Sequence, residues 1–458
     1  MMLLSQLLVP LAATLGGQDV RFSQVNTDSR KIAAGDLFVA LRGERFDGAA
    51  FVAQAARDGA VAALVHTDSD LGDIGIPLLR VADTRLALGQ LAAFWRQQFD
   101  LPLIAVTGSN GKTTVKEMLA GIFAVAAGGA DKVLATQGNL NNDIGMPLTL
   151  LRLRPSHRYA VIEMGMNHPG EIAYLTALAT PDVALVNNAS GAHLEGLGSL
   201  AAVAQAKGEI FAGLRASGIA VIQADDAHAA LWRELAAGHR IMDFGLDHPA
   251  VVQADWQADG FGGRLEVQSP AGNFALNLRV PGKHNARNAL AATAAALAVG
   301  LAPAAIQAGL EAFGGVAGRL QKQVTPQGAI IIDDTYNANP ASMLAALAVL
   351  ASQPGRRVVV LGDMGELGDG AEQFHAEIGT AAKQYGIERL LALGKLSQSA
   401  VQAFGAGGQH FGQLENLLST LDQELDATTT VLVKGSRFMK MERVVQHCTA
   451  QEAVCCSH

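Results

Sequence analysis

A short loop between a predicted strand and a predicted helix constrains the possible fold of this chain more than any other feature of its sequence. Residues 103–106 are apolar and predict a buried strand, and the sequence TGSNGKTT follows at residues 107–114. After it, apolar residues recur at the spacing of one helix face; they are Val115, Met118, Leu119, Ile122 and Phe123. Strand, loop and helix together predict a βα unit of a mostly parallel sheet, in which ligands bind beyond the carboxyl ends of the strands.

This loop contains the residue types that hold a phosphate chain. Gly108 and Gly111 allow backbone N–H groups to turn toward an anion, and the N-terminus of the following helix adds the positive end of its dipole. Lys112 offers a cation to the outer phosphates, and the Thr113 hydroxyl is placed to hold Mg²⁺. The common phosphate-loop pattern starts with glycine where this chain has Val106, so a plain surface turn would also fit the letters alone. Because strand and helix flank the loop, we predict phosphate binding by Thr107, Gly108, Ser109, Asn110, Gly111, Lys112, Thr113 and Thr114.

Length and composition set the broad class of the protein. A chain of 458 residues is too long for one hydrophobic core, and its length predicts about three domains. Half of the residues are hydrophobic and 17% are charged, which is typical of a well-buried globular protein. The formal net charge of −8 argues against nucleic-acid partners, because such partners require a clustered basic surface.

The cysteines and the apolar stretches carry predictions about compartment and membrane. Cys448, Cys455 and Cys456 all lie near the end of the sequence without metal-ligand spacing, which predicts a reduced cytoplasmic protein. Leucines at helical spacing in residues 1–15 predict a packing helix and not a signal peptide. The alanine-rich stretch 289–306 predicts one buried helix, because alanine is only weakly apolar. We therefore expect no membrane insertion.

The order of predicted elements divides the chain into three α/β regions. Short strands and polar turns fill residues 1–86, strands and helices alternate over 87–317, and a further alternating region covers 318–458. These ranges are the predicted domains. The predicted strands are 37–41, 60–65, 79–81, 103–106, 160–162, 183–186, 219–222, 329–332, 358–361, 390–393 and 431–433, and the predicted helices of the last region include 342–350 and 372–385.

Three polar residues follow strands of the central region. Glu163 ends one predicted strand, His193 follows the next, and Lys207 lies further along the chain. Each has an ordinary explanation, as a helix cap, a satisfied histidine or a solvated lysine. Near a phosphate loop, the carboxylate and the imidazole could instead bind Mg²⁺ or Mn²⁺. An unmodified lysine ammonium could not.

Polar clusters also end strands of the last region, at residues 333–337, 362–366 and 434–437. Such clusters predict a second ligand-contacting surface. A phosphate loop in one domain facing this surface in another predicts closure of the domains around a substrate.

These residues together resemble the Mur ligases, the ATP-dependent amide-forming enzymes of peptidoglycan synthesis, over essentially the whole chain. The resemblance implies three domains. The first is a small α/β N-terminal domain that binds a UDP-N-acetylmuramoyl-peptide, and the second is a central phosphate-loop ATPase domain with a parallel sheet. The third is a C-terminal Rossmann-like domain that binds the incoming D-Ala-D-Ala. The residues that carry the resemblance, beside the phosphate loop, are Asp28, Ser29, Arg30, Glu163, His193, Lys207, His284, Asn285, Asn288, Arg319 and Asp334.

The C-terminal motifs distinguish branches within the family. Residues 333–343 and 361–368 resemble the branch that joins D-alanyl-D-alanine to UDP-N-acetylmuramoyl-tripeptide, and the Asp-Asn-Pro-Arg sequence of the diaminopimelate-adding branch occurs nowhere. The diaminopimelate- or lysine-adding ligase is the alternative. Folylpolyglutamate synthetase lacks the region before the loop, and a regulatory or motor-like ATPase would not explain the strand-end residues.

The resemblance implies a role for each candidate residue. Thr113 and Glu163 would hold one Mg²⁺, and His193 with a carbamylated Lys207 would hold a second. Asn285 and Asn288 would contact adenine, Asp334 the ribose and Arg319 the phosphates of ATP. Substrate contacts would come from Ser29, Arg30 and Arg42 in the N-terminal domain, from Asn139, Asn141 and Asn142 in the acceptor cleft, and from Tyr336, Asn337, Ser436 and Arg437 near the dipeptide.

One residue departs from the family pattern. Family members often have a histidine after the Asp47–Gly48 pair, and this chain has Ala49. The role of that histidine in nucleotide-sugar binding is therefore absent here. The resemblance otherwise implies a cytoplasmic monomer that converts the terminal carboxylate of the tripeptide into an acyl phosphate.

Overall fold

Three large sheets follow one another along the chain, and each is built mostly from parallel strands joined by helices. The computed structural model describes residues 1–43, 46–191 and 197–450. Runs of valine, isoleucine and leucine form the inner strands, which are buried on both faces as parallel sheets require. The prediction of a three-domain α/β protein is confirmed.

The described elements are numbered in chain order. The strands are β1 (Met2–Leu3), β2 (Thr14–Gly16), β3 (Arg21–Phe22), β4 (Gln24–Asn26), β5 (Asp36–Val39), β6 (Arg42–Gly43), β7 (Phe46–Asp47), β8 (Ala62–His66), β9 (Leu78–Val81), β10 (Leu103–Thr107), β11 (Val133–Ala135), β12 (Tyr159–Glu163), β13 (Val183–Val186), β14 (Ile219–Gln223), β15 (Arg240–Gly245), β16 (Val252–Asp259), β17 (Gly262–Gln268), β18 (Phe274–Leu278), β19 (Gln321–Val324), β20 (Ile330–Asp334), β21 (Arg356–Gly362), β22 (Arg389–Leu393), β23 (Gly408–Phe411) and β24 (Thr429–Lys434). The α-helices are α1 (Val52–Arg57), α2 (Thr84–Arg96), α3 (Lys112–Ala127), α4 (Gly145–Leu150), α5 (Glu171–Ala179), α6 (Leu200–Gly208), α7 (Ala229–Leu235), α8 (Lys283–Ala298), α9 (Pro303–Glu311), α10 (Pro340–Ala351), α11 (Ala371–Gln384), α12 (Gln398–Phe404), α13 (Leu414–Asp422) and α14 (Glu442–Thr449).

The N-terminal sheet has the order β2-β9-β8-β5-β4 and is parallel except for β2. Leu4, Leu7 and Leu11 are buried against it. The prediction of a packing helix over residues 1–15 is wrong, because this stretch contains two short strands and one 3₁₀ turn over Leu4–Leu7. Ala12 has a left-handed backbone conformation, which a helix cannot continue through.

The central sheet has nine strands in the order β11-β12-β10-β13-β14-β15-β16-β17-β18. The strand before the phosphate loop, β10, lies between β12 and β13 and runs parallel to both. All five apolar residues predicted for the buried face of α3 are fully buried. The carboxyl ends of β10, β12 and β13 therefore lie side by side.

The alanine-rich stretch forms two helices where the sequence predicts one. Helix α8 ends at Ala298 and α9 begins at Pro303. Gly300 lies between them with φ +80°, a conformation that favours glycine, and a proline is preferred at the first position of a helix. The prediction of one continuous helix is wrong, although the alanines of α8 are buried as expected.

The last sheet has the order β19-β20-β24-β21-β22-β23, with only β19 antiparallel to its neighbour. Its strands β20, β24 and β21 are adjacent, so the three predicted polar clusters follow neighbouring strand ends. The proposed domain boundaries remain predictions; the one at residue 86 falls within the first turn of α2. Within the described residues, no helix is long and apolar enough to cross a membrane.

Candidate active site

The loop between β10 and α3 has a backbone shape that requires glycine. Gly108 and Gly111 have φ of +153° and +78°. A Cβ at residue 111 would lie 2.3 Å from Oδ1 of Asn288, which leaves no room for a larger residue. The backbone N–H of Asn110 donates to Oδ1 of Asn188 at 2.8 Å, so the tip of the loop is held against the residues that follow β13.

Lys112 begins α3, and its ammonium folds back over the loop. Nζ donates to the backbone oxygen of Gly108 at 2.7 Å. Desolvation lowers the pKa of Lys112, while the negative charge of Glu163 raises it and the positive charge of Arg319 lowers it. The cation therefore lies where phosphate oxygens could replace a backbone carbonyl as its partner.

Glu163, the last residue of β12, is the centre of a polar network. Its Oε2 accepts a hydrogen bond from Oγ1 of Thr113 at 3.0 Å, and its Oε1 accepts one from Nδ2 of Asn141 at 2.8 Å. Its backbone N–H donates to Oγ1 of Thr136 at 2.9 Å, which fixes the end of the strand. A carboxylate beside a hydroxyl is a donor set that suits Mg²⁺, so these residues fit the ion predicted at Thr113 and Glu163.

Arg319 reaches the same network from the last domain. Its Nη2 donates to Oγ1 of Thr113 at 3.0 Å, and its guanidinium carbon lies 4.3 Å from the ring centroid of Tyr336. Its Nε is buried and makes no hydrogen bond to any residue that the structure describes. Since an unpaired buried donor is costly, the geometry leaves a donor for an anion beside the phosphate loop.

The side chains of Asn285 and Asn288, on the first turns of α8, are oriented by other amides. Oδ1 of Asn288 accepts from Nδ2 of Asn187 at 2.8 Å, and Nδ2 of Asn288 donates to Oδ1 of Asn285 at 3.1 Å. Nδ2 of Asn285 donates to the backbone oxygen of Pro281 at 2.8 Å. The two predicted adenine contacts thus lie beside the phosphate loop in fixed orientations.

Asp334, predicted to contact ribose, is paired within the protein. Its Oδ2 lies 2.5 Å from Nζ of Lys434, and its Oδ1 accepts from the backbone N–H of Leu320 at 3.2 Å. His284 lies near this pair, and desolvation lowers the pKa of His284 to about 4. A ribose hydroxyl would share the Asp334 carboxylate with Lys434.

One cavity of about 1300 Å³ joins the central and last sheets. The acceptor segment and the strand-end clusters of the last sheet both face it. The predicted site residues that line it are Ser109, Asn110, Gly111, Lys112, Thr113, Thr114, Asn139, Asn141, Asn142, Glu163, Asn285, Asn288, Arg319, Asp334, Tyr336, Asn337, Ser436 and Arg437.

Two predicted dipeptide contacts differ in how far their side chains are engaged. Oγ of Ser436 accepts from the backbone N–H of Gly365 at 2.8 Å and donates to the backbone oxygen of Ala338 at 3.2 Å, so it ties two strand-end loops together. The Arg437 side chain is 65% exposed, forms an ion pair with Glu442 at 3.2 Å, and has its guanidinium carbon 6.0 Å from the ring centroid of Tyr336. Arg437 is therefore the more accessible of the two.

Lys207 lies in α6 and is 2% exposed. Desolvation by burial lowers the pKa of Lys207 well below its usual value, and the positive charge of Lys112 lowers it further. His193, its predicted partner at a metal ion, lies outside the described residues, and so does any metal-ligand cluster that would include His193. Among the described residues, no cluster of three or more His, Cys, Asp or Glu could hold a metal ion.

The N-terminal candidates do not reach the cavity. Arg30 pairs with Asp28 at 2.8 Å and its side chain is 86% exposed, while Ser29 lies between them in a short 3₁₀ turn. Arg42 pairs with Asp47 and with Asp68, each at 3.0 Å. The structure therefore leaves Ser29, Arg30 and Arg42 on the surface of the N-terminal domain.

Two pairs that face the cavity were missed from the sequence. Nδ2 of Asn339 donates to Oδ1 of Asn110 at 2.8 Å, which connects the N-terminus of α10 to the phosphate loop. Arg85 in α2 forms an ion pair with Asp143. The Asn339–Pro340 sequence signals a helix start, but nothing in the sequence links either pair.

The cavity has the features of an enzyme that uses a nucleoside triphosphate and brings a cation across from a separate domain. Three stretches match Mur ligase families: residues 106–296 the Mur ligase middle domain, 318–437 the glutamate ligase domain, and 21–96 the Mur ligase family catalytic domain. The UDP-N-acetylmuramoyl-tripeptide–D-alanyl-D-alanine ligase of Escherichia coli is 46% identical over 97% of both chains. The enzyme of the same name from Bacillus subtilis is 36% identical over 92% of both.

Solved structures agree with the sequence matches. A MurF crystal structure from Acinetobacter baumannii has a TM-score of 0.89 at 38% identity and covers 96% of this chain and 97% of that one. A MurF ligase from Thermotoga maritima in complex with ADP has a TM-score of 0.82 at 27% identity and covers 93% of this chain and 96% of that one. The chain belongs to the Mur ligase family, and it is an ATP-dependent ligase.

Proposed function

We propose that this chain joins D-alanyl-D-alanine to UDP-N-acetylmuramoyl-tripeptide and converts ATP to ADP and phosphate in the reaction. The observation that carries the proposal is the shared cavity, in which the phosphate loop and Glu163 of one sheet face Asp334 and Arg437 of another. The full-length similarity to UDP-N-acetylmuramoyl-tripeptide–D-alanyl-D-alanine ligases supports the choice of substrates.

The chemistry follows from the reactivity of a carboxylate. A carboxylate oxygen is a poor leaving group, so the terminal carboxylate of the tripeptide first takes the γ-phosphoryl group of ATP and becomes an acyl phosphate. Lys112 and Arg319 neutralise charge on the phosphoryl group as it moves. The free amine of the dipeptide then attacks the acyl carbon, and the tetrahedral intermediate collapses to an amide with loss of phosphate.

Closure of the last domain protects the acyl phosphate from water. Arg319 donates to Thr113 at 3.0 Å and Asn339 donates to Asn110 at 2.8 Å, so the last domain contacts the phosphate loop at two points. We assign adenine to Asn285 and Asn288, the acceptor peptide to the segment with Asn139, Asn141 and Asn142, and the dipeptide to the surface with Tyr336, Asn337, Ser436 and Arg437.

Thr113 and Glu163 would hold one Mg²⁺, and His193 with Lys207 would hold a second. Bound there, the ions would supply positive charge to phosphate and acyl oxygens. An uncharged lysine amine can add carbon dioxide to form a carbamate, and the buried position of Lys207 favours the uncharged amine. The carbamate would give Lys207 the oxygen ligands that an ammonium lacks.

The remaining assignments concern the whole chain. We propose that residues 1–86 bind the UDP-sugar part of the acceptor, residues 87–317 bind ATP, and residues 318–458 bind the dipeptide. Ser29, Arg30 and Arg42 would make the UDP-sugar contacts on the surface of the first of these domains. The enzyme would act as a monomer in the cytoplasm, without nucleic-acid partners or membrane insertion.

The test is ADP release with each substrate omitted in turn. The proposal expects ADP release only when ATP, UDP-N-acetylmuramoyl-tripeptide and D-Ala-D-Ala are all present. The product should be heavier than the tripeptide substrate by the mass of D-Ala-D-Ala less one water. Release with UDP-N-acetylmuramoyl-dipeptide and diaminopimelate or lysine would instead identify the alternative ligase. Release with ATP alone would contradict both.

A further inference from the structure

One end of the cavity carries an ion pair that the proposed mechanism does not use. Arg85 pairs through Nε with Oδ2 of Asp143, and both residues line the cavity. Arg85 lies in the first turn of α2, where Asp83 accepts from its backbone N–H at 2.7 Å. Asp143 lies just before α4, where its neighbour Asn142 accepts from the backbone N–H of Gly145 at 2.8 Å. The backbone on both sides of the pair is therefore well fixed.

The pair lies within one side-chain length of the reaction centre. Asn141 donates to Oε1 of Glu163 at 2.8 Å, and Asp143 follows two residues later. Two residues span at most about 7 Å between Cα atoms, which is close to the length of a four-carbon side chain. When the carboxyl group of the third acceptor residue is held near Glu163, its side chain can reach Asp143.

The side chains of the two candidate third residues differ at their ends. Lysine ends in an ammonium, whereas diaminopimelate ends in an ammonium and a carboxylate on one carbon. Asp143 can pair with the ammonium of either, and Arg85 only with the carboxylate. Arg85 and Asp143 therefore match the two charges of the diaminopimelate side chain.

Opening the ion pair to admit such a group costs little. The Arg85 side chain is 54% exposed and that of Asp143 26% exposed, and pairs between groups exposed to water contribute weakly to stability. A side chain with both charges gives each residue a new partner. A lysine side chain would compete with Arg85 for Asp143 and would set two cations side by side.

We propose that Arg85 and Asp143 select the third residue of the acceptor peptide, favouring a side chain that ends in an ammonium and a carboxylate over one that ends in an ammonium alone. This selection rests on the proposed function, because it assumes that the acceptor is a UDP-N-acetylmuramoyl-tripeptide. It assigns a specificity role to two residues that lie outside the phosphate loop and the metal ligands.

The test compares kcat/KM for UDP-N-acetylmuramoyl-tripeptides that contain diaminopimelate or lysine, with ATP and D-Ala-D-Ala saturating. The unmodified enzyme should favour diaminopimelate about tenfold or more, as one lost charge pair implies. Arg85→Met should lower kcat/KM for the diaminopimelate substrate about tenfold, mainly through KM. The same variant should raise kcat/KM for the lysine substrate slightly, because it removes the cation that competes with the lysine ammonium for Asp143. Arg85→Lys should restore part of the preference, and Asp143→Asn should weaken both substrates.

Arg264→Met is the matched control. Arg264 also pairs with an acidic neighbour, Glu266, but lies outside the cavity, so this variant should keep the preference of the unmodified enzyme. Equal use of both tripeptides by the unmodified enzyme, or an unchanged preference in Arg85→Met, would overturn the selection and leave the proposed function intact. Failure of both tripeptides to support dipeptide-dependent ADP release would overturn the proposed function itself.

Discussion

Arg319 of the last domain donates from Nη2 to Oγ1 of Thr113, the residue after the loop lysine, at 3.0 Å. Thr113 lies in the first turn of α3, beside the central sheet, and Arg319 lies just before β19 of the last sheet, so this contact places a cation from one domain at the phosphate loop of another. The Nε of the same guanidinium is buried without a partner among the described residues. Both observations support the proposed contact of Arg319 with the phosphoryl group.

Arg319→Ala should lower kcat about 100-fold or more, because it removes a donor aimed at charge that develops during phosphoryl transfer. Arg319→Lys should recover only part of the loss, since a lysine cannot use the fork geometry or stack on Tyr336 in the same way. The measurement is steady-state ADP release with both substrates present. Near-normal turnover of Arg319→Ala would exclude a role in the reaction.

Lys112→Ala should abolish ADP release while the protein remains folded. The lysine is the cation within the phosphate loop, where it donates to the backbone oxygen of Gly108 at 2.7 Å. Lys132→Ala is the control, because Lys132 bonds the backbone oxygen of Ala127 and lies outside the cavity. Turnover of Lys112→Ala within a few-fold of the control would contradict the assignment of the loop.

Lys207→Ala should be inactive, and a short carboxylic acid such as formate should restore part of its activity. Formate can occupy the place of the proposed carbamate and supply the missing anionic oxygens. The measurement is ADP release by the variant over a range of formate concentrations, with the unmodified enzyme as reference. An active Lys207→Ala variant that does not respond to formate would refute the carbamate.

His284→Asn should make stability less sensitive to pH between about 6.5 and 4. Desolvation lowers the pKa of His284 from 6.5 to about 4, with Asp334 opposing the shift and Lys434 and Arg287 adding to it. In this window the unfolded chain binds a proton that the folded protein excludes. The free energy of unfolding contributed by His284 is therefore present above pH 6.5 and is lost as the pH falls.

Denaturant unfolding of His284→Asn at several pH values between 7 and 4 measures that slope. The variant should lose less stability than the unmodified protein as the pH falls. His168→Asn, at an exposed histidine, is the control for the loss of a histidine by itself. Parallel curves for His284→Asn and the unmodified protein would contradict the effect.

The positions of most parallel strands along the chain and the phosphate loop could be predicted because they depend on local patterns. The apolar run before Thr107 and the helical spacing after it are properties of neighbouring residues, and the structure places a strand and a helix there. The antiparallel extension β16–β18 was missed, although residues 264–268 of β17 alternate exposed polar and buried apolar side chains, as a strand with one buried face does.

Contacts between distant residues could not be predicted from the sequence. Asn110 and Asn339 are 229 positions apart, and Arg85 and Asp143 are 58 apart, so no spacing rule connects them. The resemblance to a family compensated for part of this, since it implied that Arg319 contacts the phosphates of ATP and Asp334 its ribose, and both residues line the cavity beside the loop. It did not indicate that the Asp334 carboxylate forms an ion pair with Lys434.

The fate of the carboxylate oxygen tests the central claim most directly. The tripeptide is labelled with ¹⁸O in its terminal carboxylate and converted with ATP and D-Ala-D-Ala, and the released phosphate is analysed by mass spectrometry. An acyl phosphate intermediate predicts that one ¹⁸O atom of each reacted carboxylate appears in inorganic phosphate, together with ADP. Phosphate without label, or release of AMP and pyrophosphate, would contradict the account.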